Sequence, residues 1–243
     1  VDLQSAGCCL LAAGSPVSSN IGNDPHVYFL SITPEQQKEI LYKFNSIRRE
    51  VQPTASNMLE MKWSEEAAEN ARKWAEQCQF RSSSVHERIV NGIKCGETLS
   101  QAMVANSWSD IIETWATKKS DFKYGIGLIN PKKNIYTYTQ LIWYSSYLMG
   151  CALAYCPKNN VPYIYACHYC PVGNIVRKLS KPYKSGPSCG RCPDSCEDKL
   201  CTNPCRYVDK ITGCKTLKVM AKCDGDFLKK NCQATCNCKT EIV

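Results

Sequence analysis

The stretch Cys189-Gly-Arg-Cys192-Pro-Asp-Ser-Cys196-Glu-Asp-Lys-Leu-Cys201-Thr-Asn-Pro-Cys205, continued by Cys214, Cys223, Cys232, Cys236 and Cys238, packs ten of the chain's 18 cysteines into 50 residues. Its apolar side chains are few and scattered: Leu200, Ile211, Leu217, Val219, Met220, Phe227 and Leu228. Ordering each residue costs about 1–2 kcal/mol, more than so thin a core offsets. Disulfides contribute about 2–4 kcal/mol each and are the usual remedy in segments of this size. Cys189-x-x-Cys192 also has the spacing of half a zinc site. Such sites pair two doublets or add histidine, and no histidine lies in this stretch. An oxidised framework is the expectation, with its connectivity left open by spacing alone.

Outward from this stretch, 18 cysteines in 243 residues point to an oxidising compartment, hence a secreted protein. No apolar run approaches the ~18 residues of a membrane span. The patch Cys8–Ala13 is too short to span and lacks a basic leader. Residues 1–170 carry 16 basic and 15 acidic side chains, whereas residues 171–243 carry 14 and 7, so the net charge of +8 sits almost wholly on the cysteine-rich tail. A basic knob suits an acidic partner: a channel vestibule, an anionic glycan or lipid head groups. Nucleic acid is not expected of a secreted chain without a basic-aromatic groove motif.

Residues 1–30 show no periodicity and read as a mobile extension, with vicinal Cys8 and Cys9 apart from the other sixteen. Thr33, Pro34 and Gln36 have capping-box spacing, and Ile40, Leu41, Phe44 and Ile47 recur on one face of a helix to about Glu50. Ser64 opens a second helix, with Ala67, Ala68, Ala71, Trp74, Ala75 and Cys78 as its buried stripe. A third helix near Ser107–Lys118 buries Trp108, Ile111, Ile112 and Trp115. Tyr138–Trp143, Met149–Cys156 and Tyr163–Cys170 read as strands, the last two as a hairpin. This order predicts an α+β domain with helices over an antiparallel sheet. Pro171, Gly173, Pro182, Gly186 and Pro187 mark residues 171–188 as a linker.

Tyr165-Ala-Cys-His-Tyr-Cys-Pro-Val-Gly-Asn174 resembles the second signature of the CAP superfamily (cysteine-rich secretory proteins, antigen 5, pathogenesis-related 1), and Tyr138-Thr-Gln-Leu-Ile-Trp143 resembles most of the first. Ser56-Asn-Met-Leu59, Cys95-Gly-Glu97 and Leu200-Cys-Thr-Asn-Pro-Cys205 are similar to cysteine-rich secretory proteins in particular, and the ending Cys232-Gln-Ala-Thr-Cys-Asn-Cys-Lys-Thr-Glu-Ile242 resembles reproductive-tract more than reptile-venom members. The resemblance implies an α-β-α sandwich over residues 31–180, a disulfide-stapled hinge over 181–204, and over 205–243 a short-helix module similar to a sea-anemone potassium-channel toxin. It also implies the pairing: Cys78–Cys156, Cys95–Cys170 and Cys151–Cys167 in the sandwich, Cys189–Cys196 and Cys192–Cys201 in the hinge, and Cys205–Cys238, Cys214–Cys232 and Cys223–Cys236 in the module. Cys8 and Cys9 have no counterpart.

CAP proteins often present two histidines and two carboxylates in a cleft that can hold zinc or another divalent cation. The resemblance places these positions at Ser82, Glu97, Lys118 and Thr137. Three of the four have changed, so no metal, cofactor or catalytic set is expected, and Lys118 is expected to pair with Glu97. His86 enters only if its loop is rearranged, His168 reads as structural, and His26 falls in the extension. No nucleophile elbow, His-Glu-x-x-His helix or phosphate loop occurs. The expected function is therefore binding, by a monomer. Lys215, Lys218, Lys222, Phe227, Leu228, Lys229 and Lys230 are the candidate contacts with a cation channel, whose mouth attracts positive charge. The alternative is recognition of a sperm or egg surface through the tyrosine-rich sandwich.

Overall fold

Thr33 caps the first helix as its spacing predicts. In this computed structural model, which describes residues 27–243, Thr33 Oγ1 accepts from the Gln36 N–H at 3.2 Å, and the Thr33 N–H donates to Gln36 Oε1 at 2.9 Å. The expectations for residues 1–26, including Cys8, Cys9 and His26, lie outside the described residues. Helix α1 runs Pro34–Arg49, α2 runs Glu65–Ala75 behind a Ser64 cap, and α3 runs Trp108–Ala116 behind a Ser107 cap. Helix α4 spans Tyr136–Leu141.

Strands β1 (Tyr28–Leu30) and β2 (Lys62–Trp63) precede the small hairpin of β3 (Ile89–Val90) and β4 (Ile93–Lys94). Strand β5 (Gly96–Ala102) is followed by the hairpin of β6 (Phe122–Lys123) and β7 (Gly127–Leu128). Strands β8 (Leu148–Tyr155) and β9 (Tyr163–Cys170) form the predicted central hairpin. The main sheet has the antiparallel order β1-β8-β9-β5, and β2 adds to β8 in parallel. Two expectations are corrected here. Residues 28–30 belong to the sheet, because the outer edge of β8 offers Leu153–Tyr155 as pairing partners for Leu30–Tyr28. The stretch Tyr138–Trp143 is helical over Tyr136–Leu141 rather than a strand: Tyr138, Leu141 and Ile142, spaced by three and four, turn together into the core.

Strand alternation divides the side chains into two layers. Met149, Cys151, Leu153, Tyr165, Cys167 and Tyr169 meet α1, α3 and α4 through Phe44, Trp108, Ile112 and Leu141. Ala152, Ala154, Ile164 and Ala166 face α2 through Ala71 and Ala75. Small residues on both sides let α2 lie close to the sheet, as at Gly150, where an added Cβ would stand 2.0 Å from the Ala68 nitrogen. The result is the expected α-β-α sandwich. The centre of one layer holds an unforeseen cation. Arg48 on α1 is 1% exposed, and its guanidinium donates to the carbonyls of Leu59, Leu141, Trp143, Tyr144 and Ser146 at 2.8–3.3 Å. Five donors in a rigid fork thus organise the turn between α4 and β8.

Residues 171–188 are bound to the sandwich rather than a free linker. Tyr183 is buried in its core and donates to the Pro53 carbonyl, and the Ser56 N–H bonds the Lys184 carbonyl at 2.8 Å. The hinge carries the small pair β10 (Cys196–Glu197) and β11 (Leu200–Cys201). Three short helices follow: α5 (Cys214–Ala221), α6 (Asp226–Asn231) and α7 (Gln233–Asn237). All eight bridges implied by the family resemblance are present.

Candidate functional site

The sandwich site begins with the register of β5 on β9, which sets Glu97 opposite His168 on the face that meets α2. Glu97 is 3% exposed in its side chain. Its Oε1 accepts from the Ser83 N–H at 3.0 Å, and its Oε2 accepts from Ser83 Oγ at 2.7 Å and lies 3.2 Å from His168 Nε2. Arg88 Nη1 stands 3.5 Å from Oε1 and also donates to the Ser83 carbonyl and hydroxyl. Burial opposes ionisation of Glu97, but the bonds from His168 and Ser83 outweigh it and hold its carboxyl below the usual carboxylate range. Burial pushes fully enclosed His168 below the ordinary imidazole value despite the pull of Glu97, so at neutral pH it is a neutral donor from Nε2.

The expected partnership of Glu97 with Lys118 is therefore not formed. Arg88 and His168 occupy the carboxylate first, while Lys118 lies in the 3-10 turn Thr117–Asp121. Ser82 is exposed beside Ser83, which makes the contact in its stead. Thr137 donates to the Trp115 carbonyl at 3.3 Å. His86 is exposed on the turn Val85–Glu87 and makes no contact with Glu97 among those described. His168 is buried in β9 and hydrogen-bonded to Glu97. Its partnership with Glu97 escaped the sequence, although the strand register alone brings the two together.

The tail site is built on disulfides instead of a broad core. Leu228 is 4% exposed between Cys214 and Cys232, with Ile211, Leu217 and Cys236 around it. It is the module's interior and cannot serve as a contact, which corrects the expectation for this residue. Its neighbour Phe227 is 62% exposed. Lys215, Lys218, Lys222, Lys229 and Lys230 are all exposed, and none lies within 4.0 Å of a carboxylate among the described residues. Lys218 is partly committed, donating to the Thr235 carbonyl at 2.7 Å. Val219 and Met220 on α5 are exposed and were not among the predicted contacts. The signal was there for Val219: once Cys214 and Leu217 face inward, a helical period turns it to the opposite side. The sulfurs of Cys189, Cys192 and Cys201 cluster within 4.8 Å, but each is bonded in a disulfide, so this is no thiolate metal site.

A family model described as Cysteine-rich secretory protein family matches residues 41–169, and a second, described as Crisp, matches residues 189–243. The chain belongs to the cysteine-rich secretory protein family. Family membership and eight disulfides agree with an extracellular protein, and no helix among the described residues is long and apolar enough to cross a membrane. This cysteine-rich secretory protein is similar in fold to Schistosoma mansoni venom allergen-like protein 4 (TM-score 0.53, 21% identity, 66% of this chain and 100% of that one). It is similar also to NaASP2, solved with Zn2+ (0.57, 22%, 70% and 97%), and to hookworm platelet inhibitor (0.52, 18%, 72% and 94%). These likenesses show the shared fold alone.

The family's cation cleft can be tested against the donors this chain offers. Ser82, Lys118 and Thr137 supply no imidazole or carboxylate, and both oxygens of Glu97 are already engaged. Zinc needs three or four nitrogen, sulfur or carboxylate donors with lone pairs free to bind it. The residues present do not fit the ion.

Proposed function

We propose that this cysteine-rich secretory protein is a secreted, non-enzymatic binding protein that modulates a cation channel through residues 205–243. The observation that carries the reading is Phe227, a largely exposed aromatic ring beside lysines with no carboxylate partner among the described residues, on a framework whose interior is filled by its neighbour Leu228. Phe227 and Lys230 are three residues apart on one flank of α6. An exposed aromatic next to positive charge suits a channel mouth, where acidic rings attract the cation and an apolar wall takes the ring.

The test is whole-cell recording of calcium, potassium and other cation currents under micromolar whole protein. The expected result is inhibition of at least one current, with roughly 30-fold lower potency for Phe227→Ala, the size of a hot-spot loss. No effect on any current, or an unchanged Phe227→Ala dose response, overturns the reading. The alternative, recognition of a gamete surface by the sandwich, rests on its exposed Tyr28, Tyr42 and Tyr136, whereas Tyr138, Tyr165, Tyr169 and Tyr183 are core residues.

A further inference from the structure

Where the sandwich, hinge and tail meet, a cleft of about 750 Å3 is lined by Lys178, Lys184, Arg191, Lys215, Lys218 and Lys239. These six cations come from three parts of the chain: the segment leaving the sandwich, the hinge loop and the module. Two acidic residues, Asp194 and Glu241, also line it. Glu241 is occupied locally, its Oε2 accepting from the backbone N–H of Lys239 at 2.9 Å and of Thr240 at 3.1 Å. None of the six cations has a carboxylate within 4.0 Å among the described residues. Gathering six cations against two carboxylates is unfavourable, and Lys184 registers it. Burial first, then the charges of Arg191, Lys215 and Lys178, draw its amine below the usual lysine range.

The walls of this cleft are fixed. The Arg191 N–H bonds the Ser56 carbonyl at 2.9 Å, and the Lys184 N–H bonds Asn57 Oδ1 at 2.8 Å. Cys189–Cys196 and Cys192–Cys201 flank Arg191, while Cys205–Cys238 and Cys214–Cys232 hold the backbone beside Lys239 and Lys215. A backbone held in place before the anion arrives limits the entropy lost on binding to that of the cationic side chains. We infer that this cleft binds a sulfated polysaccharide chain, whose sulfate groups, spaced along a flexible polymer, meet cations on opposing walls. A flat bilayer fits the geometry less well. The cations line a concavity, and the exposed apolar residues Val219, Met220 and Phe227, which would enter a membrane interface, are not part of it. The site stands whether or not the target of Phe227 is a channel.

The test is calorimetric titration of the whole protein with a heparin octasaccharide, with the same octasaccharide stripped of sulfate, and with phosphatidylserine vesicles. One variant pairs Lys184→Gln with Arg191→Gln. The other pairs Lys229→Gln with Lys230→Gln, removing equal charge from exposed α6. The expected result is binding to the sulfated chain alone. It weakens roughly tenfold in the cleft variant and less than about twofold in the α6 variant. The dependence on salt falls by about one unit of slope per cleft cation removed. Lysine-acetylation footprinting needs no variant: the octasaccharide should protect Lys178, Lys184 and Lys215 and leave Lys229 and Lys230 labelled. Absence of binding, equal losses in both variants, uniform footprinting, or equal binding of desulfated chain or vesicles overturns the proposal.

Discussion

Arg48 is a buried cation whose partners among the described residues are carbonyl oxygens. Burial draws its guanidinium down to about 9, which leaves it charged at neutral pH. Five N–H groups meet five acceptors, so desolvation is offset by hydrogen bonds rather than by an opposite charge. Arg48→Met would leave those carbonyls without donors, and Arg48→Lys has too few donors and the wrong shape. Both should lower stability by about 3–5 kcal/mol in chemical unfolding of the disulfide-intact protein. Glu97 and His168 make a second residue-scale prediction. His168 is neutral and depressed when folded, so the unfolded chain takes up a proton first as pH falls below about 6.5, and stability declines. Glu97, also depressed, loses its contribution at lower pH, below about 4.5 and through its folded value. His168→Gln should remove the upper part of this decline between about pH 7 and 5, as urea unfolding would show. A wild-type stability that is flat or rises over that interval contradicts the assignment. Of this site, Glu97 was legible from Cys95-Gly-Glu97 and the loss of cation ligands from Ser82, Lys118 and Thr137. Ser83 and Arg88 were not, because a loop, rather than a motif, brings them to the carboxylate.

At the scale of elements, the helices with caps and a sustained apolar face were readable. Thr33, Ser64 and Ser107 mark the starts of α1, α2 and α3. The helix α4 was not, since six residues of mixed aromatic and apolar character suit a strand or a helix equally, and its choice is made by packing and by Arg48 binding the Leu141 carbonyl. The three-residue β1 was likewise hidden, because its partner edge lies more than a hundred residues away. Gly150 shows how a single position governs packing between elements. An alanine there would meet the backbone of Ala68 and the Ser64 carbonyl, neither of which can rotate aside. Gly150→Ala should force α2 away from β8 and cost about 1–3 kcal/mol in unfolding measurements. A variant as stable as the parent would show that α2 is free to shift.

At the scale of the whole molecule, the tail is docked rather than tethered. Leu59 pairs with Cys201, Pro204 with Ile242, and Ile242 packs among Leu59, Cys189, Cys192 and Cys201. Tyr144 of the sandwich donates to the Val243 carbonyl at 2.7 Å. The positive charge of the tail was plain in the sequence, but its division was not. Part of it faces outward beside Phe227, and part lines the cleft against the sandwich. Both arrangements depend on the module keeping its shape with little more than Leu228, Cys214 and Cys232 inside it. The most direct test is alkylation of the native protein under denaturing, non-reducing conditions, followed by peptide mass mapping and metal analysis. The account predicts eight linked pairs, no alkylated cysteine between Cys78 and Cys238, and no stoichiometric metal. Alkylated cysteines through residues 189–238, or one zinc per chain held by them, would contradict it.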